Sequence, residues 1–532
     1  MTKSLKNTTV KTPQEIVKNI YSMFTKTDKL AFMSSFIFWM IAHLFIFVND
    51  FFVYDSVSLF DSSLGIQNGR FLIRPILTLF ANCQIPLLVG ISAGIFVGLS
   101  VMFMCRIFKM TKPFYVLILS ATVTTFPVLY NTNAFLSSAH VFVFSMLFSV
   151  LAVYYANKDT LFGYIISAIC LIISLSCYQA YMPFAVTLFL FSVILDTLEN
   201  KKVSNLVKRV LITGIVFMVA TALYYLIWRL LLNVFNLQAN DYRGESITMS
   251  SLFSLDIITR LIQSYILGFY MMFKGMFYRG SLFLMSVGKI VKPCIAIFSV
   301  LLVFVFSKAR KTKFNNIIFT CLVLLGLPLS VGLIYVFSPL TPHTLMQFPA
   351  IIVYLMAIVL TERLIDNKEN LHKILEWIVV LLLVISVFVN VVLGNAGYSI
   401  MSSSSKSAIS FATRVTERVE STAGVDVGTK VCFVSDEHWF YSIREREEHY
   451  DGDMLSDKES FVSFTVVSLI GTPYVEALIN YINDNANYME LEYSYQDLQD
   501  GDYANNKQVQ QLQPFPAKNC SVWVNDVLVV KL

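Results

Sequence analysis

Residues 30–48 read LAFMSSFIFWMIAHLFIFV, nineteen positions without an Asp, Glu, Lys or Arg. As a helix, a run of this length crosses the roughly 30 Å of hydrocarbon in a bilayer. Ten more apolar runs follow, near 85–105, 114–130, 141–155, 161–178, 182–195, 210–232, 293–307, 315–338, 346–360 and 374–393. In lipid each segment must satisfy its own backbone hydrogen bonds, which directs the chain to a helical bundle. The expected fold is a mainly α-helical polytopic membrane protein with about 11 transmembrane helices. Only 14% of residues are charged, against about 25% in soluble domains. The first 29 residues are polar and lysine-rich, and no small-residue cleavage site follows the first run. That run therefore reads as a retained span rather than a signal peptide.

Lysine and arginine set the expected orientation, because they collect in cytoplasmic loops. The tail 1–29 carries Lys3, Lys6, Lys11, Lys18, Lys26 and Lys29. Alternate loops then carry Arg106, Lys109 and Lys112; Lys158; Lys201, Lys202, Lys208 and Arg209; Lys308, Arg310, Lys311 and Lys313; and Arg363, Lys368 and Lys373. The intervening loops 131–140, 179–181 and 339–345 carry none. This pattern places 1–29 in the cytoplasm and a transmembrane region at 30–393, with outer loops at 49–84 and 233–292. The second outer loop contains SYILGFYMMFKGMFYRGSLFLM, broken by Lys274 and Arg279. It reads as helices along the membrane surface; a hidden pair of short spans is the competing reading.

From Gly394 onward 10 Lys+Arg stand against 20 Asp+Glu, a net −10 within a chain of net +5, so the rest carries +15. After the serine-rich SSSSKS (402–407), strand-like KVCFVS and CSVWVNDVLVVKL and helix-like YVEALINYINDN suggest a small extracytoplasmic α+β domain at 394–532. Cys432 and Cys520 fall in its strands, as a disulfide or as two buried thiols. Cys105, Cys170, Cys177, Cys294 and Cys321 lie in or beside spans and read as packing, and Cys83 lies near the outer face. None of the eight forms a CxxC or Cys/His pattern, so no zinc site is expected. The acidic 443–459 stretch reads as a solvated face, without the spacing of an EF-hand. No basic groove with interleaved aromatics suggests nucleic acid.

The first outer loop carries more charge than a loop needs. VNDFFVYDSVSLFDSSLGIQNGRFLIRPI (48–76) offers Asp50, Asp55 and Asp61, then Arg70 and Arg74. Interface anchoring accounts for any one of Asp55, Asp61 or Arg74. Asp50 sits in the first turn after the span, where a partly desolvated carboxylate can act as a general base or bind a metal. Arg70 and Arg74 share a face if NGRFLIRPI begins a helix, and that face suits a phosphate. A carboxylate beside arginines at the outer lip fits transfer from a lipid-linked phosphate: the acid deprotonates an acceptor hydroxyl and the cations stabilise the departing phosphate. A polyprenyl-phosphate sugar is the natural donor on that side.

These residues carry a resemblance. NDFFVYDS followed by NGRFLIRPIL, LSCYQAYMPF (175–184), SPLTPHTLMQFPA (338–350) and the ending QPFPAKNCSVWVNDVLVVKL (513–532) occur in order. With them the chain resembles the bacterial and phage serotype-converting glucosyltransferases of type II, within the broad GT-C class. The resemblance implies a GT-C-like bundle in the plasma (inner) membrane. It implies an inverting transfer of a sugar, usually glucose, from a polyprenyl phosphate to a surface polysaccharide such as O-antigen. By motif, Asp50 corresponds to the acid of the first outer loop, Arg70 to the arginine of the Gly-Arg pair, and Gln179 to the glutamine of the Tyr-Gln pair. Three departures stand out. The family usually has paired acids where this chain has Asn49–Asp50, which leaves a divalent metal open. Pro342 is followed by His343 where arginine is frequent. Loop 131–140, NTNAFLSSAH, lacks an expected acid.

The expected site thus has Asp50 as catalytic base and Arg70, Arg74, Lys274 and Arg279 toward the donor phosphate. Asp55, Gln179, Tyr181 and His343 are the expected sugar or acceptor contacts. Against this, aromatics such as Tyr181 at a helix end belong to membrane belts, surface cations such as Arg243, Lys274 and Arg279 meet lipid headgroups, His140 reads as a helix-end residue, and Arg229 either snorkels or points inward. Rival functions are a transferase with a lipid, teichoic acid or protein acceptor, and a flippase for a lipid-linked sugar. Transporters often show repeated halves and mid-membrane charges, which this chain lacks.

Overall fold

The computed structural model describes residues 12–49, 64–80, 85–240, 256–274, 282–337, 344–364, 370–426, 429–434 and 503–532. In chain order the helices are α1 (Pro13–Ser22), α2 (Lys26–Val48), α3 (Leu64–Gln67), α4 (Ile73–Thr78), α5 (Pro86–Phe108), α6 (Pro113–Thr124), α7 (Pro127–Ala134), α8 (Ala139–Ala156) and α9 (Leu161–Cys177). Then come α10 (Met182–Leu198), α11 (Val203–Val234), α12 (Asp256–Phe273), α13 (Leu282–Ala309), α14 (Phe314–Val331), α15 (Ile334–Phe337), α16 (Ile352–Leu364) and α17 (Asn370–Glu420). Strand β1 (Lys430–Val434), helix α18 (Lys507–Gln510) and strands β2 (Ser521–Val524) and β3 (Val527–Lys531) complete the described chain.

Among the described residues eight helices are long and apolar enough to cross a membrane, nine if α6 and α7, bent by 44°, count as one span. The protein is a mainly helical, multi-pass membrane protein. A helix occupies each expected span, with differences of local cause. The run at 114–130 breaks at Thr125–Phe126, and Pro127, which needs no hydrogen-bond acceptor, restarts it as α7. The run at 346–360 begins as 3-10 turns at Thr344–Met346 and Phe348–Ile351 before α16. Segment α9 has 17 residues, a short crossing for a helix.

Neighbouring helices pack in sequence order: α2 on α5 and α6, and α8 on α5 and α9. His43 ties three helices together at the centre. Its Nε2–H donates to the Thr124 carbonyl (2.9 Å), leaving Nδ1 to accept from the Tyr398 hydroxyl (2.8 Å). Helix α12 does more than lie along a surface. A Cβ at Gly268 would stand 1.8 Å from the Pro328 carbonyl and one at Gly332 1.9 Å from that of Ser264, so only glycine lets these backbones meet. Its opposite face exposes Ile258, Ile262, Ile266 and Phe269.

One end of the bundle is laced with ion pairs. Thr25 and Asp28 form a capping box on α2, and Asp28 also takes two bonds from Arg106 (2.9 and 3.0 Å). Glu362 accepts from the backbone N–H groups of Thr111 and Lys112 (2.8 Å each), and Tyr115 donates to Glu376 (2.7 Å). Asp196 pairs with Arg209 and Lys201, and Glu199 with Arg363. The loops that carry most of the lysine and arginine meet here.

Helix α17 does not stop at Gly394. It runs 51 residues, includes the serine-rich 402–407, and presents Ile409, Ala412, Val415 and Val419 to a three-stranded sheet. The sheet order is β1-β3-β2, with β1 parallel and β2 antiparallel to β3. Cys432 and Cys520 are buried and are not joined in a disulfide. Cys520 packs with Phe433 and Leu528 on the helix side, while Cys432 packs with Val529 and Val509 on the other. Burial pushes the Cys520 thiol up from its ordinary value.

Candidate active site

Arg70 is held in place by a braced turn. Helix α3 ends on Gly69 at φ +72°. Gly69 N–H donates to Ile66 O (3.0 Å) and Arg70 N–H to Gly65 O (2.7 Å), a Schellman closure that favours glycine at this position. Three side chains grip the turn's outward carbonyls. Trp228 Nε1 donates to Ile66 O (2.6 Å), Tyr224 Oη to Gly69 O (2.9 Å), and Gln179 Nε2 to Asn68 O (2.9 Å). Gln179 Nε2 also donates to Tyr224 Oη (2.9 Å), and Leu72 N–H to Ser176 O (3.1 Å). The turn is thereby fastened to α9 and α11, far from it in sequence.

Gln179 is available because the chain unwinds between α9 and α10. Residues Gln179–Tyr181 form a single 3-10 turn before Pro183 enters α10. The carbonyls this break releases are met by buried serines: Ser145 Oγ donates to Tyr178 O and Ser149 Oγ to Tyr181 O, both 3.0 Å. Without these hydroxyls the break would leave acceptors unpaired in an apolar bundle.

The Arg70 guanidinium lies over the Tyr178 ring, 4.9 Å to its centroid. Its Nε is buried without a hydrogen-bond partner, and among the described residues no carboxylate pairs with it. A planar cation with an aromatic floor and unused donors is suited to an anionic oxygen. Arg74 follows within α4, but that helix starts at Ile73, so Arg70 sits in the preceding turn and the two arginines do not share a helix face.

Gln179 thus sits beside Arg70, with its amide hydrogens committed to the turn and to Tyr224, and Tyr181 lies one ring farther, 5.9 Å from the Tyr178 ring between centroids. Lys274 ends α12, its ammonium 4.7 Å from the centroid of the Tyr270 ring. Asp50, Asp55, Arg279 and His343 lie outside the described residues, as do Asp61 and Arg243. Among the described residues no three His, Cys, Asp or Glu side chains approach closely enough to hold a metal. The sequence reading missed Tyr224 and Trp228, whose ring types at a span's end read as membrane belt. It also missed Lys292, a buried lysine donating to Met271 O (2.7 Å), because the span was set to begin after it.

A family model described as glucosyl transferase GtrII matches residues 44–361. The match takes in the first outer loop, the braced turn, the Gln179 break and the Pro342–His343 segment. It ends before α17 and the terminal strands, so the ending 513–532 lies outside it. No curated protein and no solved structure matches the chain. With well over half of its length matched, the chain belongs to the GtrII family of glucosyl transferases.

Proposed function

We propose that this glucosyltransferase moves glucose from a polyprenyl phosphate to a cell-surface polysaccharide of the O-antigen type, outside the bacterial plasma membrane, as a GT-C-class enzyme. Asp50 removes the proton from an acceptor hydroxyl, whose oxygen attacks the anomeric carbon. The bond from that carbon to the phosphate oxygen breaks on the opposite side, so configuration inverts. The polyprenyl phosphate leaves with its electron pair and extra negative charge, which Arg70 balances. Arg74, Lys274 and Arg279 add positive charge for the donor, and Asp55, Tyr181 and His343 contact sugar or acceptor. Gln179 acts through the turn it holds. The region after 394 lies on the acceptor side and presents the polysaccharide.

The observation that carries this reading is Arg70: an arginine braced through three neighbouring carbonyls, with an unpartnered buried Nε. Asp50 enters by its sequence position alone. The test is transfer by purified protein in detergent, given polyprenyl-phosphate glucose and surface polysaccharide, with Asp50→Asn alongside. Transfer by the wild type and its loss in a folded variant are expected. Transfer surviving in Asp50→Asn would remove Asp50 as base, and movement of the donor across sealed vesicles without transfer would replace the enzyme with a flippase.

A further inference from the structure

Near Arg70 the bundle holds several buried polar side chains with little or nothing to bond. Asn131 Nδ2, Ser137 Oγ and both ring nitrogens of His140 are buried without a hydrogen-bond partner, and Tyr181 Oη has only the Thr132 hydroxyl beside it. The exposures of these residues are 2, 5, 0 and 1%. They come from α7, the turn after it, the first turn of α8 and the 3-10 turn at Gln179–Tyr181. Folded proteins pair nearly all such groups, so a cluster left bare within one region calls for a partner. Elsewhere in the bundle, buried serines and threonines mostly bond a carbonyl one turn back, as Thr187 does with Pro183 O (2.8 Å).

The cluster adjoins the proposed phosphate site along two routes. Tyr178, under the Arg70 guanidinium, packs on Phe142 (4.6 Å between centroids), two residues after His140. Phe80 covers the His140 imidazole at 4.3 Å, and it follows α4, ten residues after Arg70. Thr132, next to Asn131 in the chain, stands beside the Tyr181 hydroxyl.

We propose that Asn131, Ser137, His140 and Tyr181 form the subsite for the hexosyl group of a lipid-phosphate sugar donor, shut in this structure beneath Phe80. The inference rests on the glucosyl-transfer reading above and assigns its sugar contacts. No carboxylate, lysine or arginine is among the four, so the set does not suit a phosphate. Amides and hydroxyls that both donate and accept match the hydroxyls of a hexose. Phe80 must leave His140 for the sugar to seat, and it lies on the segment that Arg70 anchors.

The test compares binding of polyprenyl-phosphate glucose and bare polyprenyl phosphate to the full chain in lipid nanodiscs. Wild type, Asn131→Leu, Ser137→Ala, His140→Phe and Arg70→Ala are measured, each with its thermal midpoint. The subsite predicts that the first three variants lose about tenfold or more for the glucosylated carrier. Their affinity for the bare carrier should hold, and their midpoints should stay level or rise, because an unbonded buried polar group has been removed. Arg70→Ala should weaken both ligands. Two results would overturn the subsite alone: variants that still discriminate as the wild type does, or variants that lose both ligands together with a falling midpoint. A wild type that binds both carriers equally would sink the donor assignment and the subsite with it.

Discussion

The two ends of the bundle differ in how far their polar groups are paired, though Arg209 at the basic end also keeps Nε and Nη2 without a hydrogen-bond partner. At the basic end the carboxylates Asp28, Asp196, Glu199, Glu362 and Glu376 each meet a cation, a hydroxyl or a pair of backbone N–H groups. At the other end His140 and Asn131 are buried with donors or acceptors left over, as is the Nε of the half-buried Arg70. A polar group withdrawn from water and unbonded costs about 1–3 kcal/mol. The first arrangement therefore serves the fold, and the second tolerates instability where a ligand can relieve it. The end that looks worse built is the one to search for chemistry.

Substitutions at the two ends should separate stability from activity. The largest effect is expected for Arg70→Ala, a fall of about 10²–10³-fold in kcat/KM for glucosyl transfer with an unchanged thermal midpoint. Arg70→Lys should restore little, since an ammonium lacks the planar fork; full rescue would reduce Arg70 to a point charge. At the basic end, Asp28→Asn should lower stability by about 2 kcal/mol, below the range for fully buried pairs because Arg106 is partly exposed. Transfer per folded molecule should stay at the wild-type level. An activity loss without a stability loss there would break the contrast.

A smaller effect sharpens the same contrast. Gln179→Leu and Tyr224→Phe should each lower kcat about tenfold, because each frees one side of the turn that aims Arg70. The double variant should lose less than the product of the singles, as expected for residues in one hydrogen-bonded network. Simple multiplication would mean that they act separately. The smallest effect concerns the C-terminal sheet: both thiols should resist maleimide in the native protein and react after unfolding without reductant. A disulfide would leave them silent in both states.

The bundle was legible because apolar length and the alternation of lysine and arginine report on a bilayer, an environment every span shares. The terminal strands were legible for the same kind of reason, a local repeat in KVCFVS and VWVNDVLVV. Of the candidate site, Arg70 could be singled out in the sequence because its residue type alone suits an anion. What braces it was hidden. Gln179, Tyr224 and Trp228 look like helix-end residues until folding brings α9 and α11 to the turn at Gly69. His140 was read as a helix end, and its isolation from every acceptor is a property of neighbours 60 or more residues away in the chain, such as Phe80. The continuation of α17 was also hidden: Gly394 and the serines suggested a stop, but the stripe from Ile409 to Val419 has a sheet to cover.

That helix gives the molecule a phase. Between Ser403, where its apolar stretch ends, and Glu420, under the sheet, there is no break in the winding. Each residue added there would advance the sheet by about 1.5 Å and turn it about the helix axis by roughly 100°. One inserted alanine would swing the sheet to another side of the bundle, while seven would return it to nearly the same bearing, about 10 Å farther along. The azimuth at which the terminal sheet faces the bundle is thus fixed by counting residues.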